Sequence, residues 1–411
     1  MATASGDVSD HALVSEEFLR DPYPILQSLQ KEDPVHWSEA IGGWLVTRYE
    51  DIVPTFKDVN LYSNSERLSK VVEYLPAKSR AKFKTLEDHF RATSLIASDP
   101  PDHTRLRALI TKVFNATRVE AMRPSIQAII TDLLDAVEPS GKMDLIRDVA
   151  VPLPFSVLGA VLGVPSSDRE EVTRWADELL AFQGVNKPPT SVLEISQRAL
   201  VEVRAYLGEL IKEKRRAPGN DLLSQLVAVE AEGEKLSEQE LIYTSITLLV
   251  AGHETTTSLL GNGLYTLLRH PDQWEALQEN PTLLISAIEE MLRYESPVAR
   301  QPRRVTEDTV LGGKQIRGGQ IVFQMLNAAN RDPEFFSDPQ QFDIRRQPNR
   351  HIAFGMGIHF CVGALLARTE AQILFRTLLE RMPQIQLVDE KADWDLRKPN
   401  SRMLHSLNLA F

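Results

Sequence analysis

One cysteine stands in this 411-residue chain, and its neighbours give it something to do. It lies in Phe354-Gly355-Met356-Gly357-Ile358-His359-Phe360-Cys361-Val362-Gly363. A lone cysteine is by default a small buried apolar residue. Here Gly355 and Gly357 supply a tight turn in which backbone can approach a flat cofactor closely. Cys361 falls at the expected start of a helix reaching about Met382, where unpaired N–H groups and the helix dipole stabilise a thiolate. Gly363 keeps the first turn slim beneath a bulky ligand. The chemistry this predicts is thiolate ligation.

Three other groups carry reactive or charged side chains at meaningful spacing. Ala251-Gly252-His253-Glu254-Thr255-Thr256 interrupts a long helical pattern. Glycine there costs about 1 kcal/mol against alanine, and the threonines are poor helix formers. Such a local violation marks either a functional site or a polar stretch facing another helix. Glu290 and Arg293 form E-x-x-R and share a helix face; alone, such a pair is also common on solvated surfaces. His103 and Arg107, four apart, share another face, and Arg303 lies in a β segment five residues before Asp308. Each by itself reads as a surface cation.

These residues need a frame. Pro22 to Glu32 predicts a short helix, and VHW and GWLVT around Gly42-Gly43 predict a hairpin. From Asp102 to about Met382 apolar residues recur at spacings of three and four, as at Leu106, Leu109, Ile110 and Val113. The longest helix is expected from Glu238 to His270, opened by a Ser237–Glu240 capping box and closed by Pro271. At that length it spans roughly 45–50 Å. Short β segments follow over Val298–Gln324, then an irregular stretch to Phe354, the last helix and a β-like tail. The fold class expected is mainly α (α+β). Residues 1–14 are expected to form a flexible N-terminal arm, and 15–411 one domain.

Composition excludes several functions. A net charge of -11 argues against nucleic-acid binding. One cysteine rules out an intramolecular disulfide, a four-thiolate zinc site and a cysteine-bound iron–sulfur cluster. The polar, acidic N-terminus does not read as a secretory signal, and no run of about 18 apolar residues suggests a membrane span. A cytoplasmic protein is expected.

The segment F-x-x-G-x-x-x-C-x-G resembles the haem-binding signature of the cytochrome P-450 family, and the other motifs follow in that family's order along nearly the whole chain. The resemblance implies a single triangular, helix-rich domain with small β-sheets and haem b (iron protoporphyrin IX) ligated by Cys361. Thiolate ligation pushes electron density onto the iron and favours O–O cleavage. It implies contacts to the cofactor from Phe354, Gly355, Gly363 and Ala251, and propionate neutralisation by His103, Arg107, Arg303 and His359. Arg105 stays unassigned. Glu254 is implied as proton relay and Thr255 as hydrogen-bond partner of bound oxygen and its waters. His253 is expected to be a plain helix residue. Glu290, Arg293 and a third cation, Arg346 or the adjacent Arg345, are implied as a structural network.

The activity so implied is monooxygenation: one atom of O2 enters a mostly hydrophobic small molecule and the other is reduced to water. Alternatives are a peroxide-driven oxygenase and a non-catalytic haem sensor. The chain has no dinucleotide fingerprint, so electrons are expected from an external ferredoxin or flavodoxin with an NAD(P)H-dependent reductase. Lys112 and Arg368 are candidates for docking it. Substrate contacts are expected from 68–97, 179–193, 248–251, 298–300 and 403–404, with Leu95, Ile96, Leu249, Val298 and Met403 as apolar members. Lys78, Arg80, Lys82 and Lys84 in the first segment fit either a solvated face or recognition of an acidic substrate.

Overall fold

In the computed structural model, which describes residues 8–65, 72–179, 181, 182, 185, 187–231 and 236–411, the longest helix runs over Glu238–Leu268. Its capping box is formed: Ser237 Oγ accepts from the Glu240 N–H at 3.2 Å, and the Glu240 carboxylate accepts from the Ser237 N–H at 2.8 Å. Its 31 residues make a rod of about 45 Å.

The helices among the described residues are α1 Glu16–Arg20, α2 Tyr23–Glu32, α3 Tyr49–Lys57, α4 Ala77–Arg80, α5 Lys84–Arg91, α6 Asp102–Val113, α7 Ala116–Val137, α8 Pro152–Leu162, α9 Arg169–Leu179, α10 Thr190–Arg216, α11 Leu222–Ala231, α12 Glu238–Leu268, α13 Pro271–Glu279, α14 Leu284–Tyr294, α15 Leu326–Ala329 and α16 Ala364–Arg381. The strands are β1 Val35–Ser38, β2 Gly43–Val46, β3 Tyr62–Ser63, β4 Lys142–Asp144, β5 Gln301–Val305, β6 Thr309–Leu311, β7 Lys314–Ile316, β8 Ile321–Gln324, β9 Gln386–Leu387, β10 Asp393–Trp394, β11 Leu404–Ser406 and β12 Asn408–Ala410.

The largest sheet has the order β1-β2-β8-β5-β3. The expected hairpin is its edge, with Val35 opposite Val46. β2 and β8 pair in parallel, Trp44 against Val322, although almost the entire helical bundle separates them in sequence. One large apolar core unites most of the helices, with α12 contributing Leu249, Leu259, Leu260, Leu264 and Leu267. A second core lies under the sheet, where Val46, Ile52, Phe56, Val305 and Val322 meet. No described helix is long and apolar enough to cross a membrane.

Two expectations change. Residues 1–7 of the proposed arm lie outside the described residues, but 8–14 are packed rather than loose. Leu13 is buried with Phe18, Leu26 and Leu29, and the Asp10 carboxylate accepts from Ser38 Oγ at 2.5 Å and the Glu39 N–H at 3.0 Å. The last helix starts at Ala364, not Cys361, because the Cys361 N–H is still engaged across the preceding turn with the Phe354 carbonyl, at 2.9 Å.

Candidate active site

The cysteine loop is a double turn closed by backbone bonds. The Gly355 N–H donates to the Ile352 carbonyl at 2.9 Å and the Phe360 N–H to that of Gly357 at 3.1 Å. Gly355 and Gly357 have φ of +70° and +69°, the left-handed region that a side chain disfavours. At Gly357 space also forbids a side chain: a Cβ would lie 2.8 Å from the carbonyl oxygen of Phe56, on α3. Gly357→Ala is therefore expected to lose about 1–3 kcal/mol, read as a lowered Tm and weaker haem retention. An unchanged Tm would show that the loop can re-form elsewhere.

Cys361 is open to solvent, yet protein confines the thiol enough that burial pushes its pKa up. Backbone N–H groups of Gly363 and Ala364 and the guanidiniums of Arg107 and Arg368 act in the opposite sense. The helix start thus reaches the sulfur through two N–H groups even though the helix begins later. A Cβ at Gly363 would meet only the Cys361 sulfur, at 3.9 Å.

Three of the four expected propionate partners converge on this loop. The His103 and His359 rings lie 4.1 Å apart by centroid, and Arg107, one turn beyond His103 on α6, interacts with the Cys361 thiol. His103 is 1% exposed, and neither of its ring nitrogens has a hydrogen-bond partner among the described residues. Burial, then the neighbouring Arg107, lowers its pKa. An orphaned imidazole beside a guanidinium is a donor set that lacks its acceptor. Arg303, on β5, is buried against the Phe56 ring at 5.4 Å, the residue whose carbonyl faces Gly357. These groups fit a dianionic ligand lying over the cysteine. Among the described residues no three His, Cys, Asp or Glu side chains are arranged to hold a metal, so a metal here must bring most of its own ligands. A porphyrin with propionates meets both conditions.

α12 runs unbroken through the Ala251–Thr256 segment. Thr255 Oγ donates to the Ala251 carbonyl at 2.9 Å, leaving its lone pairs available. Glu254 accepts from Ser401 Oγ at 2.6 Å and Lys398 Nζ at 2.8 Å, two partners sequence reasoning missed. His253 is buried on Phe155, ring centroids 3.8 Å apart, and burial followed by Lys398 pushes its pKa down to about 3. It is a packed neutral helix residue.

The E-x-x-R pair is wholly buried, both side chains 0% exposed, with two bonds of 2.7 and 2.8 Å. Arg346, and not the exposed Arg345, joins Glu290 at 3.1 Å. Arg293 also donates to the carbonyls of Asn330, Pro339 and Gln341, while Asp343 N–H and Asn349 Nδ2 donate to Glu290. Arg368, one of the two docking candidates, is held in an ion pair. It grips Glu289 through bonds of 2.6 and 2.7 Å and lies over the Phe354 ring at 4.4 Å, supporting the cysteine loop from behind. Burial disfavours the Glu289 carboxylate, but Arg368 and His351 outweigh it and hold its pKa at about 2. Lys112 is exposed on α6.

Of the apolar candidates, Leu95 and Leu249 belong to the main core, Val298 and Met403 are half-buried, and Ile96 is exposed. Residues 68–71, 180, 183, 184 and 186 of the expected lining lie outside the described residues. Arg80 pairs with Glu87 and Lys84 with Asp88, while Lys78 and Lys82 are exposed, which favours the solvated face over an acid-reading one.

Helical frame, cysteine loop and buried cations together fit a haem-thiolate protein. A family model described as Cytochrome P450 matches residues 58–405. Cytochrome P450 107B1 of Saccharopolyspora erythraea is 42% identical over 396 residues, covering 95% of this chain and 94% of that one. Cytochrome P450 monooxygenase PikC of Streptomyces venezuelae is 42% identical over 392 residues, covering 94% and 89%. Among solved structures, P450BioI in complex with hexadec-9Z-enoic acid ligated acyl carrier protein superposes with a TM-score of 0.87 at 37% identity, covering 97% of this chain and 100% of that one. The chain belongs to the cytochrome P450 family. It is a haem b monooxygenase that takes O2, a small organic substrate and electrons from separate redox partners.

Proposed function

We propose that Cys361 would hold the haem iron through its thiolate, that His103, Arg107, Arg303 and His359 would receive the propionates, and that Glu254 and Thr255 supply protons. One observation carries the reading: the chain's one cysteine lies beside a cluster in which the buried His103 has no hydrogen-bond partner among the described residues. Charge-assisted bonds from such donors to a carboxylate are strong, and Arg forks bind it bidentately. Phe354, Gly355, Gly363 and Ala251 would contact the macrocycle.

When bound, haem supplies the activation of O2 and the oxidising equivalent that its thiolate ligand helps to generate. The protein's share is orientation, exclusion of water and proton supply. Glu254, protonated, gives its proton to a water; Thr255 accepts from that water and holds it, and Glu254 recovers a proton from solvent. The substrate is a mostly hydrophobic molecule, set by Leu95, Ile96, Leu249, Val298 and Met403. The acyl ligand in the P450BioI complex is of that kind.

The electron donor we propose is a ferredoxin or flavodoxin with its NAD(P)H-dependent reductase, and the compartment the cytoplasm, where a single free cysteine stays reduced. Named monooxygenase relatives favour turnover over haem sensing. The test is product formation with a reconstituted ferredoxin system. Thr255→Ala is expected to keep consuming NAD(P)H while product falls about 10–100-fold. Product at the wild-type level would remove Thr255 from proton supply.

A further inference from the structure

Away from the cysteine loop, α7, α16 and the corner that opens α14 enclose a cavity of about 640 Å³. That volume is in the range that holds a small organic molecule. The cavity shares no lining residue with the haem cluster or with the expected substrate contacts. On α16 its residues begin at Gln372, one turn beyond Arg368, and lead away from Cys361.

One side of the cavity is apolar. Pro124, Pro281 and Ile285 line it, and Ile285, at 65% exposure, is the most exposed large apolar side chain among the described residues. Leu284 and Ile373, both buried, complete that side. Pro124 stands in the interior of α7, where it removes a backbone hydrogen bond of the helix. A local departure of this kind is retained where another demand on the residue outweighs it. Here the ring supplies a stiff apolar wall.

The other side is cationic. Arg123 donates to the Gln372 amide oxygen at 3.1 Å, which holds its guanidinium at the seam between α7 and α16. Its Nε donates to Glu120 at 2.6 Å, but that carboxylate is 70% exposed and screened by water. Arg376 lies one turn along α16 from Gln372, on the same helix face. It is exposed and has no hydrogen bond or ion pair among the described residues. By contrast, Arg174 is answered by Glu171, Glu178 and Glu202. None of the described lining residues is acidic, in a chain with 57 acidic and 46 basic side chains. Local charge is therefore opposite in sign to the net charge. The walls are also braced: Gln127 of α7 donates to Thr377 of α16 at 3.2 Å.

We propose that this cavity binds a small amphipathic carboxylate, its anion between Arg123 and Arg376 and its apolar body against Pro124, Pro281 and Ile285. Arginine forks receive a carboxylate through parallel charge-assisted bonds, and the body removes the isoleucine from water. A wholly polar anion would leave Ile285 in water, and a neutral apolar molecule would leave Arg376 unanswered. A nucleic acid or other polyanion would meet the chain's net charge of -11.

Calorimetric titration of the haem-loaded protein with octanoate tests this, with the substrate chamber filled beforehand by phenylimidazole. Acetate carries the charge without the body, and octanol the body without the charge. One saturable octanoate site is expected, with acetate and octanol each about tenfold weaker or more. Arg376→Glu should weaken octanoate about tenfold, Ile285→Ser about fivefold, and Arg376→Lys only about twofold because the charge remains. Both positions are exposed, and an unchanged urea midpoint shows that each variant is folded. Octanoate affinity unchanged in Arg376→Glu and Ile285→Ser, or no saturable site, overturns the proposal. Binding seen only without phenylimidazole belongs to the substrate chamber and overturns it too. Octanol as tight as octanoate overturns the role of the anion, and acetate as tight overturns that of the apolar wall. No octanoate site, together with a sedimentation coefficient that Arg376→Glu lowers, would overturn it in favour of an interface between copies of this chain.

Discussion

Glu290→Ala should leave little or no folded holoprotein, a loss of about 3–5 kcal/mol. The carboxylate, 0% exposed, is bonded to two guanidiniums, those of Arg293, also 0% exposed, and Arg346. Removing it strands both charges and also leaves the Asp343 N–H and the Asn349 amide without their acceptor. Truncating one partner of a buried ion pair costs far more than the pair contributes relative to apolar residues, because the remaining charge stays desolvated. Total stabilities of about 5–15 kcal/mol cannot absorb much of that. Arg293→Lys is expected to fail as well. A lysine cannot donate at once to the Glu290 fork and to three carbonyls, those of Asn330, Pro339 and Gln341. Soluble holoprotein yield and the urea midpoint measure both variants. A Glu290→Ala protein with a wild-type midpoint would mean that the network carries no stability.

Cys361→Ala should do the opposite: keep the fold and lose the reaction. The backbone bond from residue 361 to the Phe354 carbonyl needs no side chain, and Gly355 and Gly357 set the turn independently. Tm without cofactor is expected to stay within a few degrees of wild type, since no buried apolar contact or side-chain pair is removed. Monooxygenase turnover should fall below detection, because no other thiolate exists in the chain to take its place. Substantial turnover in this variant would require a different ligand and a different mechanism.

Contrast between these two sites shows what a sequence can disclose. The E-x-x-R pair, the capping box and the cysteine turn are local: three or four residues apart, or glycines fixing a turn, their geometry follows from helix periodicity and backbone sterics. Arg346 needed the fold, because only the path of the irregular stretch turns it, rather than Arg345, toward Glu290. The start of α16 moved three residues because a backbone bond across the turn outcompeted the helix. Arg368 was an exposed cation in one dimension and is a buried-side clamp on Glu289 in three. Lys398 and Ser401 lie 144 and 147 residues from Glu254, in a segment with no pattern of its own, and nothing local announces the contact. The carbonyl of Phe56 against Gly357 and the parallel pairing of β2 with β8 were hidden for the same reason. Packing of residues 8–14 escaped because one leucine and one aspartate do the anchoring.

Ligation of the haem iron by the Cys361 thiolate is tested most directly by the absorption spectrum of the reduced, haem-loaded protein under carbon monoxide. A strongly red-shifted Soret band in the wild type, absent from Cys361→Ala and retained by Arg376→Glu, is the predicted result. A red-shifted band that survives in Cys361→Ala, or its absence from fully loaded wild-type protein, would contradict it.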